Sequence, residues 1–436
     1  MVEILEKVKK DKIKFVQLQF TDILGVIKSL TIPVEHLGNS LKDGTWFDGS
    51  SIEGFTRIQE SDQFLIPDPK TYAVMPWLKD TARFICDVFT ADGDPFEGDP
   101  RYILKRAVKE ANDMGFELFT GPELEFFLFK KDNGKLMPMP HDTAGYFDLT
   151  TDEGITIRQE MYDALAAFGI DVEALHHEVA VGQHEIDFRY DTAVKTADSA
   201  ITLRFVLKAI ANMHGLHATF MPKPIAGING SGMHVHQSFF KDGKNVFFDE
   251  SKEYMLSDIA LSYIAGVLKH IRSISAVTSP TVNSYKRLVP GYEAPVYLSW
   301  ARRNRSALIR IPRYSKGKSN ATRCEVRCPD PSCNPYLAFA LMLKAGLDGV
   351  KNKLMPPKPV EEDVFEFTAE DLKAHNIQTL PGSLGEALDV MESDPLIKET
   401  LGEHTYSKYL EAKRAEWDAY RLYVSQWEID RYMEVY

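Results

Sequence analysis

Segments that should be core strands carry carboxylates. In Gly121-Pro122-Glu123-Leu124-Glu125-Phe126-Phe127-Leu128-Phe129 the two-residue period of a strand puts Glu123 and Glu125 on one face, among apolar neighbours. Such a pair repels and desolvates badly unless it points to solvent or a cation neutralises it. A second cluster, His176-His177-Glu178-Val179-Ala180-Val181-Gly182-Gln183-His184-Glu185, has two glutamates flanking a short turn, with Glu185 opening a strand. A third, Asn229-Gly230-Ser231-Gly232-Met233-His234-Val235-His236-Gln237-Ser238, aligns His234, His236 and Ser238 after glycines that allow close approach to the backbone. In Thr322-Arg323-Cys324-Glu325-Val326-Arg327, the residues Arg323, Glu325 and Arg327 share a face. Five glutamates and one or two histidines are hard donors that suit Mg²⁺ or Mn²⁺ better than structural zinc. Five carboxylates exceed the needs of one ion, so two or more ions are expected.

The basic counterpart lies in Lys286-Arg287-Leu288, Arg302-Arg303-Asn304-Arg305 and Arg310-Ile311-Pro312-Arg313. Arginines at 287, 305, 310, 323 and 327 can clamp phosphate or carboxylate groups in bidentate fashion, whereas Arg302 and Arg303 read equally well as a solvated face. Gly317-Lys318-Ser319 imitates the end of a P-loop, but Pro312 holds the position of the required upstream glycine. No G-x-G-x-x-G fingerprint follows a strand. Divalent ions and arginines without a P-loop still describe a phosphoryl-transfer site.

The 436 residues carry 51 Lys+Arg against 63 Asp+Glu, a net charge of −12. That balance excludes a protein that holds nucleic acid by phosphate neutralisation. No apolar run is long enough to span a membrane, and Met1–Phe15 has no apolar core of a signal peptide, so a cytoplasmic location is expected. Cys324, Cys328 and Cys333 fall in a C-x3-C-x4-C spacing that fits no common zinc pattern and, with Cys86, read as free structural thiols.

Along the chain a short helix at 2–10 precedes strands at 13–20, 25–32 and 83–89. The Asp-, Gly- and Pro-rich segment 91–100 reads as a linker, dividing a small N-terminal domain (1–100) from a large one (101–436). In the latter, strands at 116–120, 124–129, 184–190, 216–221, 232–239 and 322–327 alternate with helices at 154–168, 194–213, 254–273 and 334–352. The run 411–436 reads as one helix with a stripe of Trp417, Tyr420, Val424 and Trp427, packed on its own domain or docked on another subunit.

Together these segments, with Phe47-Asp48-Gly49-Ser50-Ser51-Ile52 and Val289-Pro290-Gly291-Tyr292-Glu293-Ala294-Pro295, resemble in order the glutamine synthetases of the bacterial and archaeal type I form. The resemblance spans essentially the whole chain. It implies an α+β fold, with a β-grasp-like N-terminal domain and a larger α/β catalytic domain, assembled as a dodecamer of two stacked hexamers. In such an assembly the N-terminal domain serves the neighbouring subunit's site and the C-terminal helix anchors in the opposing ring. The implied reaction is ATP-dependent ligation of ammonium to glutamate through a γ-glutamyl phosphate.

By the family's motifs one metal is held by Glu125, Glu178 and Glu185, and the other by Glu123, His234 and Glu325. Arg305 and Arg310 stabilise the transferring phosphoryl group. Arg287, Arg327, Asn229 and Gly230 bind glutamate, and Glu173, His236, Ser238 and Arg323 line the nucleotide pocket. Asp48 deprotonates ammonium, Tyr146 borders the ammonium site and Glu293 closes over the intermediate. Arg57 is expected to mediate glutamine feedback, as in the alpha branch. Phe365 and Phe367 stand in the loop where adenylylated members carry a tyrosine, so no adenylylation is expected. Glutamine, 2-oxoglutarate and small regulatory proteins are the effectors the family implies. The rival readings are a ligase joining glutamate to a polyamine or other amine, and a non-catalytic metal- or nucleotide-binding homologue.

Overall fold

The computed structural model describes residues 1–52, 54, 62–138, 142–290, 294–302, 304–315 and 317–436. Arg57 and Glu293 therefore lie outside the described residues. The N-terminal sheet is built from β1 (Phe15–Thr21), β2 (Ile27–Pro33), β3 (Thr45–Asp48), β4 (Asp62–Pro67), β5 (Ala73–Met75) and β6 (Leu78–Thr90). Its order is β2-β1-β6-β4-β3, with β1 and β6 parallel and β5 paired to β6. Val16, Leu18 and Phe20 alternate inward from β1 and meet Phe84, Cys86 and Val88 of β6 in a core of their own.

The larger sheet is organised around β7 (Glu117–Asp132), followed by β8 (Lys135–Pro138), β9 (Val172–His177), β10 (Gln183–Phe188), β11 (Asp191–Thr192), β12 (Leu216–Thr219), β13 (Met233–Lys241), β14 (Lys244–Asn245), β15 (Tyr297–Ala301), β16 (Ala307–Arg310) and β17 (Cys324–Val326). The main path runs β15-β16-β17-β13-β7-β10-β9. The two strands expected at 116–120 and 124–129 are one. Gly121-Pro122 does not break β7, which keeps its register with β13 through Val235 opposite Pro122. Helices Ala193–Met213, Asp258–Thr278 and Pro335–Lys351 bury most of their lengths against this sheet. The helix expected from 254 starts at Asp258, where the Ser257 side chain accepts from the Ala260 N–H. All four cysteines are free and buried.

The C-terminal run is likewise not one helix. Glu403–Arg421 ends, and Gln426–Tyr432 starts anew at a capping box between Ser425 and Glu428. Trp417 packs against Gly385 of the body, whereas Val424 and Trp427 are exposed.

His270 ties three elements of the larger domain. Its Nδ1 lies 2.7 Å from Asp394 and its Nε2 3.0 Å from Asp348. Burial pulls its pKa down, but the two carboxylates outweigh that and hold it above the ordinary histidine value. A raised folded-state pKa means that this stabilisation is complete below the unfolded value of about 6.5 and is lost as pH rises through the folded one. In His270→Gln, the deficit in thermal stability should be largest near pH 6 and shrink towards pH 9, as read by melting curves across that range. A deficit independent of pH would assign His270 a packing role alone.

Candidate active site

The register of the larger sheet assembles the ionisable residues in rows on one face. Arg310 of β16 faces Glu325 of β17, which faces His236 of β13, which faces Gly121 of β7. Two residues on, His234, Glu123, Asp187 and Ala174 form the next row across β13, β7, β10 and β9. After two more come Glu125, Glu185 and His176. The carboxylates that were out of place in apolar strands thus stand side by side because every strand contributes at the same period of two.

Two adjoining cavities, of about 720 and 790 Å³, share Glu123, Ala174 and Asp187 as a common wall. The first is lined by Glu173, His236, Ser238 and Arg323, the residues expected around a nucleotide, together with residues 317–322. Arg323 Nε donates to His236 Nδ1 at 3.1 Å, so His236 carries its proton on Nε2 and donates it to Glu123 at 2.7 Å. The second cavity collects Glu123, Glu125, Glu178, Glu185, His234 and Glu325 with Asn229, Gly230, Arg287, Arg305, Arg310 and Arg327. Tyr146 borders it beside Phe147, both stacked edge-on against His176. Asp48 lines neither cavity and sits at the end of β3, where its Oδ1 accepts from the Ser50 N–H.

Two ligand-like trios line the second cavity. Glu123, His234 and Glu325 bring donor atoms within 4.8 Å of one another, with His234 Nδ1 at 3.2 Å from Glu123 and 3.7 Å from Glu325. The other trio is His176, Glu178 and Glu185, with His176 Nε2 3.4 Å from Glu185. Glu125 stands beside this trio, its Oε2 accepting from Gln183 Nε2 at 2.8 Å and from the Gly232 N–H at 2.9 Å. A side chain at Gly232 would begin 2.5 Å from Arg287 Nη2, so glycine lets this backbone reach Glu125 without displacing the Arg287 guanidinium from its carbonyls. His176 and Asp187 were not singled out from the sequence. Alternation on either side of the turn would have found both, since His176 is two residues from Glu178 and Asp187 two from Glu185.

The electrostatics call for cations. Burial, then Glu178, push Glu125 up to about 8. Burial and Asp187 push Glu185 well above the ordinary range. Asp187 rises to about 6 through burial and Glu123. Glu123 alone is held low, because hydrogen bonds from His234 and His236 outweigh its burial. Hard oxygen donors that cannot all ionise together fit divalent ions of the Mg²⁺ type. On the basic side, Glu325 is 1 % exposed and lies 2.9 Å from Arg310 Nε and 3.1 Å from Arg327 Nε. Among the described residues Arg327 Nη1 is buried without a hydrogen-bond partner at the cavity wall, an arrangement suited to an anionic substrate group. Arg287 lines the cavity but spends its guanidinium on the carbonyls of Arg327, Cys328 and Pro329.

The small N-terminal sheet domain thus stands beside a larger sheet whose carboxylate–histidine trios and arginines could hold divalent ions and an anionic substrate together. The glutamine synthetase catalytic-domain family matches residues 97–432, and the glutamine synthetase β-grasp-domain family matches residues 12–91. The chain belongs to the glutamine synthetase family. It is 53 % identical to a glutamine synthetase of Thermus thermophilus, over 100 % of this chain and 99 % of that one. It is also 53 % identical to a glutamine synthetase of Methanosarcina mazei, over 99 % and 97 % of the two chains. Among solved structures it resembles a GmaS/ADP complex (TM-score 0.90, 31 % identity, all of both chains). A glutamine synthetase of Plasmodium falciparum superposes with a TM-score of 0.89 at 27 % identity, over 99 % of this chain and 98 % of that one.

Proposed function

We infer that this chain ligates ammonia to L-glutamate, consuming ATP and releasing glutamine, ADP and phosphate. The observation that carries the reading is the paired cavity, in which Glu123 is common to a nucleotide pocket and to a carboxylate–arginine pocket. A γ-carboxylate of glutamate in the second pocket attacks the terminal phosphorus of ATP, and the bond to ADP breaks. Ammonia then attacks the acyl carbon, and phosphate leaves. Two or more Mg²⁺ or Mn²⁺ ions, bound to Glu123, His234 and Glu325 and to Glu178 and Glu185 with Glu125 beside them, would neutralise the phosphate oxygens and polarise the transferred group.

The chain's own residues do the rest. His236, Glu173, Ser238 and Arg323 orient the nucleotide. Arg305 and Arg310 face the transferring phosphoryl group, where charge accumulates. Arg327 takes a carboxylate of glutamate, with Asn229 and Gly230 at its amino-acid end, and Arg287 braces the loop that carries Arg327. Asp48, on a separate face, serves the site of a neighbouring subunit as the base that takes a proton from ammonium. Glu293 closes the site against water, which would otherwise hydrolyse the acyl phosphate.

The assembly in this reading is a dodecamer of two hexamers, and the exposed Trp427 and Val424 are the segment that anchors one ring in the other. The domain division near residue 100, the roles of Arg57 and Tyr146, sensitivity to glutamine or 2-oxoglutarate and to small regulatory proteins, and absence of adenylylation near Phe365 belong to the same reading. So does a cytoplasmic location. Among the described residues no helix is long and apolar enough to cross a membrane.

Phosphate release from ATP with glutamate and Mg²⁺ should depend on ammonium, with glutamine as product by chromatography. Turnover with methylamine or a polyamine but none with ammonium would move the chain to the amine ligases of the same family. No turnover with any amine would leave a non-catalytic homologue.

A further inference from the structure

A second constellation of charged residues lies on the reverse side of the metal face, and it is closed. Alternation along β9 and β10 sends His176 and Glu185 to the cavity, and the cross-strand pair His177 and His184 to the opposite side. There Asp142, wholly buried, reaches both imidazoles. Its Oδ1 is 2.9 Å from His177 Nε2, and its Oδ2 is 3.5 Å from His184 Nε2. Beyond His184, Arg158 Nη1 sits 2.7 Å from Nδ1, and Arg158 is itself paired with Asp152, both side chains under 5 % exposed.

By composition two histidines and a carboxylate could hold a metal, but the hydrogen-bond donors forbid it. A guanidinium has only protons to offer, so Arg158 donates to His184 Nδ1 and the imidazole proton is on Nε2, directed at Asp142. A nitrogen that carries a proton cannot ligate. His177 Nδ1 meets the backbone carbonyl of Glu178 at 2.6 Å, so it donates there, and Nε2 donates to Asp142. The chain Asp152–Arg158–His184–Asp142–His177 therefore ends on the main chain of a residue of the Glu178/Glu185 trio. Its two carboxylates are separated by Arg158 and a neutral His184, and the residues from Arg158 to His177 are buried.

We propose that Asp142 is a positioning residue for the Glu178/Glu185 metal site. Its Oδ1 accepts from His177 and its charge faces His184 Nε2 across 3.5 Å, and this contact from behind sets the separation and aim of Glu178 and Glu185 on the cavity side. Gly154 belongs to the same device. A Cβ there would stand 2.4 Å from His184 Cε1, although its backbone φ of −82° suits any residue. The inference rests on the metal reading of the preceding section. Partners behind metal ligands are worth on the order of 10- to 100-fold in affinity.

The test is Mn²⁺ binding to the assembled full-length protein, followed by electron paramagnetic resonance of the free ion, with Glu185→Gln identifying the class of sites that includes Glu185. Asp142→Asn should weaken that class on the order of 10- to 100-fold and leave the class at Glu123, His234 and Glu325 unchanged. The half-saturating Mn²⁺ for turnover should rise in step, with kcat at saturating Mn²⁺ recovered. Gly154→Ala, which removes no polar group, should weaken the same class, and it keeps the question open to experiment if Asp142→Asn fails to assemble. Unchanged affinity in both variants overturns the proposal. So does equal weakening of both classes with a lowered melting temperature, the mark of a merely structural role. Parent protein showing no Glu185-dependent Mn²⁺ overturns the metal reading, and the clamp's role with it, a result distinguishable before any Asp142 variant is made.

Discussion

Replacing Glu325 by alanine is expected to lower ammonium-dependent turnover on the order of a thousandfold, the scale of losing phosphoryl-transfer electrostatics. Three functions meet on this one carboxylate. It completes the trio with Glu123 and His234, and it holds Arg310 by Oε2 and Arg327 by Oε1. Without it, two guanidiniums and an imidazole share a pocket with no central anion, and the arginines lose the group that aims them. Glu325→Asp should recover part of the activity, because the charge is kept while one methylene of reach is lost. Glu325→Gln should recover little, because the shape is kept and the charge is not. Turnover of Glu325→Ala within about tenfold of the parent would mean that Glu123 and His234 suffice and that Arg310 is aimed by something else. Melting temperature checks the fold, since the variant also leaves Arg327 buried beside less counter-charge.

The site was legible wherever its logic is local. Glu123 and Glu125, His234 and His236, and Arg323, Glu325 and Arg327 each lie two apart along one strand or its immediate flanks, so the pleat alone groups them. What strand period cannot supply is which strands adjoin. That Glu123 lies between His234 and Asp187 is a property of β13-β7-β10 register, set by pairings across roughly sixty to a hundred residues of chain. The break anticipated at Gly121-Pro122 failed for the same reason. Proline weakens a strand by its missing N–H and glycine by its flexibility, but β13 pairs without interruption through both residues, while β11 and β10 take up the other edge just before and just after them. At the C-terminus, the aromatic spacing from Trp417 to Trp427 bridged a real break, because the stop at Leu422 and the restart at Ser425 are set by backbone capping rather than by apolar period. Asp142 gave no signal at all. A lone aspartate in a Pro- and Gly-rich stretch becomes meaningful only when a cross-strand pair of histidines, 35 and 42 residues further on, points at it.

Arg101→Met is expected to cost about 3–5 kcal/mol, the range for removing one partner from a buried ionic cluster. Arg101 opens the helix Pro100–Asp113 and is 5 % exposed, yet it faces three carboxylates from both sides of the domain junction. Its Nε and Nη2 grip Asp198 in a two-bond fork at 3.0 and 2.9 Å, Nη1 holds Asp87 at 2.7 Å, and Nη2 also reaches Asp68 at 2.8 Å. Asp68 and Asp87 flank strands of the β-grasp sheet or lie in them, whereas Asp198 belongs to the helix Ala193–Met213 and is braced by Tyr336 at 2.7 Å. Burial lowers the Arg101 pKa, but the Asp198 and Asp87 charges outweigh it and hold it above the ordinary value, so the guanidinium is charged at every working pH. Methionine fills the volume and leaves three carboxylates facing one another without their shared guanidinium, Lys105 remaining on Asp87. Arg101→Lys should restore less than half of the loss, because a point charge cannot fork onto Asp198 and reach Asp87 together. Because the cluster joins two cores, the loss should be directional. Scanning calorimetry of the assembled protein should show the β-grasp domain melting ahead of the catalytic domain, and limited proteolysis should cut first in the segment 91–99. A single transition shifted as a unit would show that the cluster stabilises one domain internally. In that case Arg83, whose Nη2 donates to Thr202 at 2.9 Å, and Arg204, which holds Gly25, must carry the junction instead.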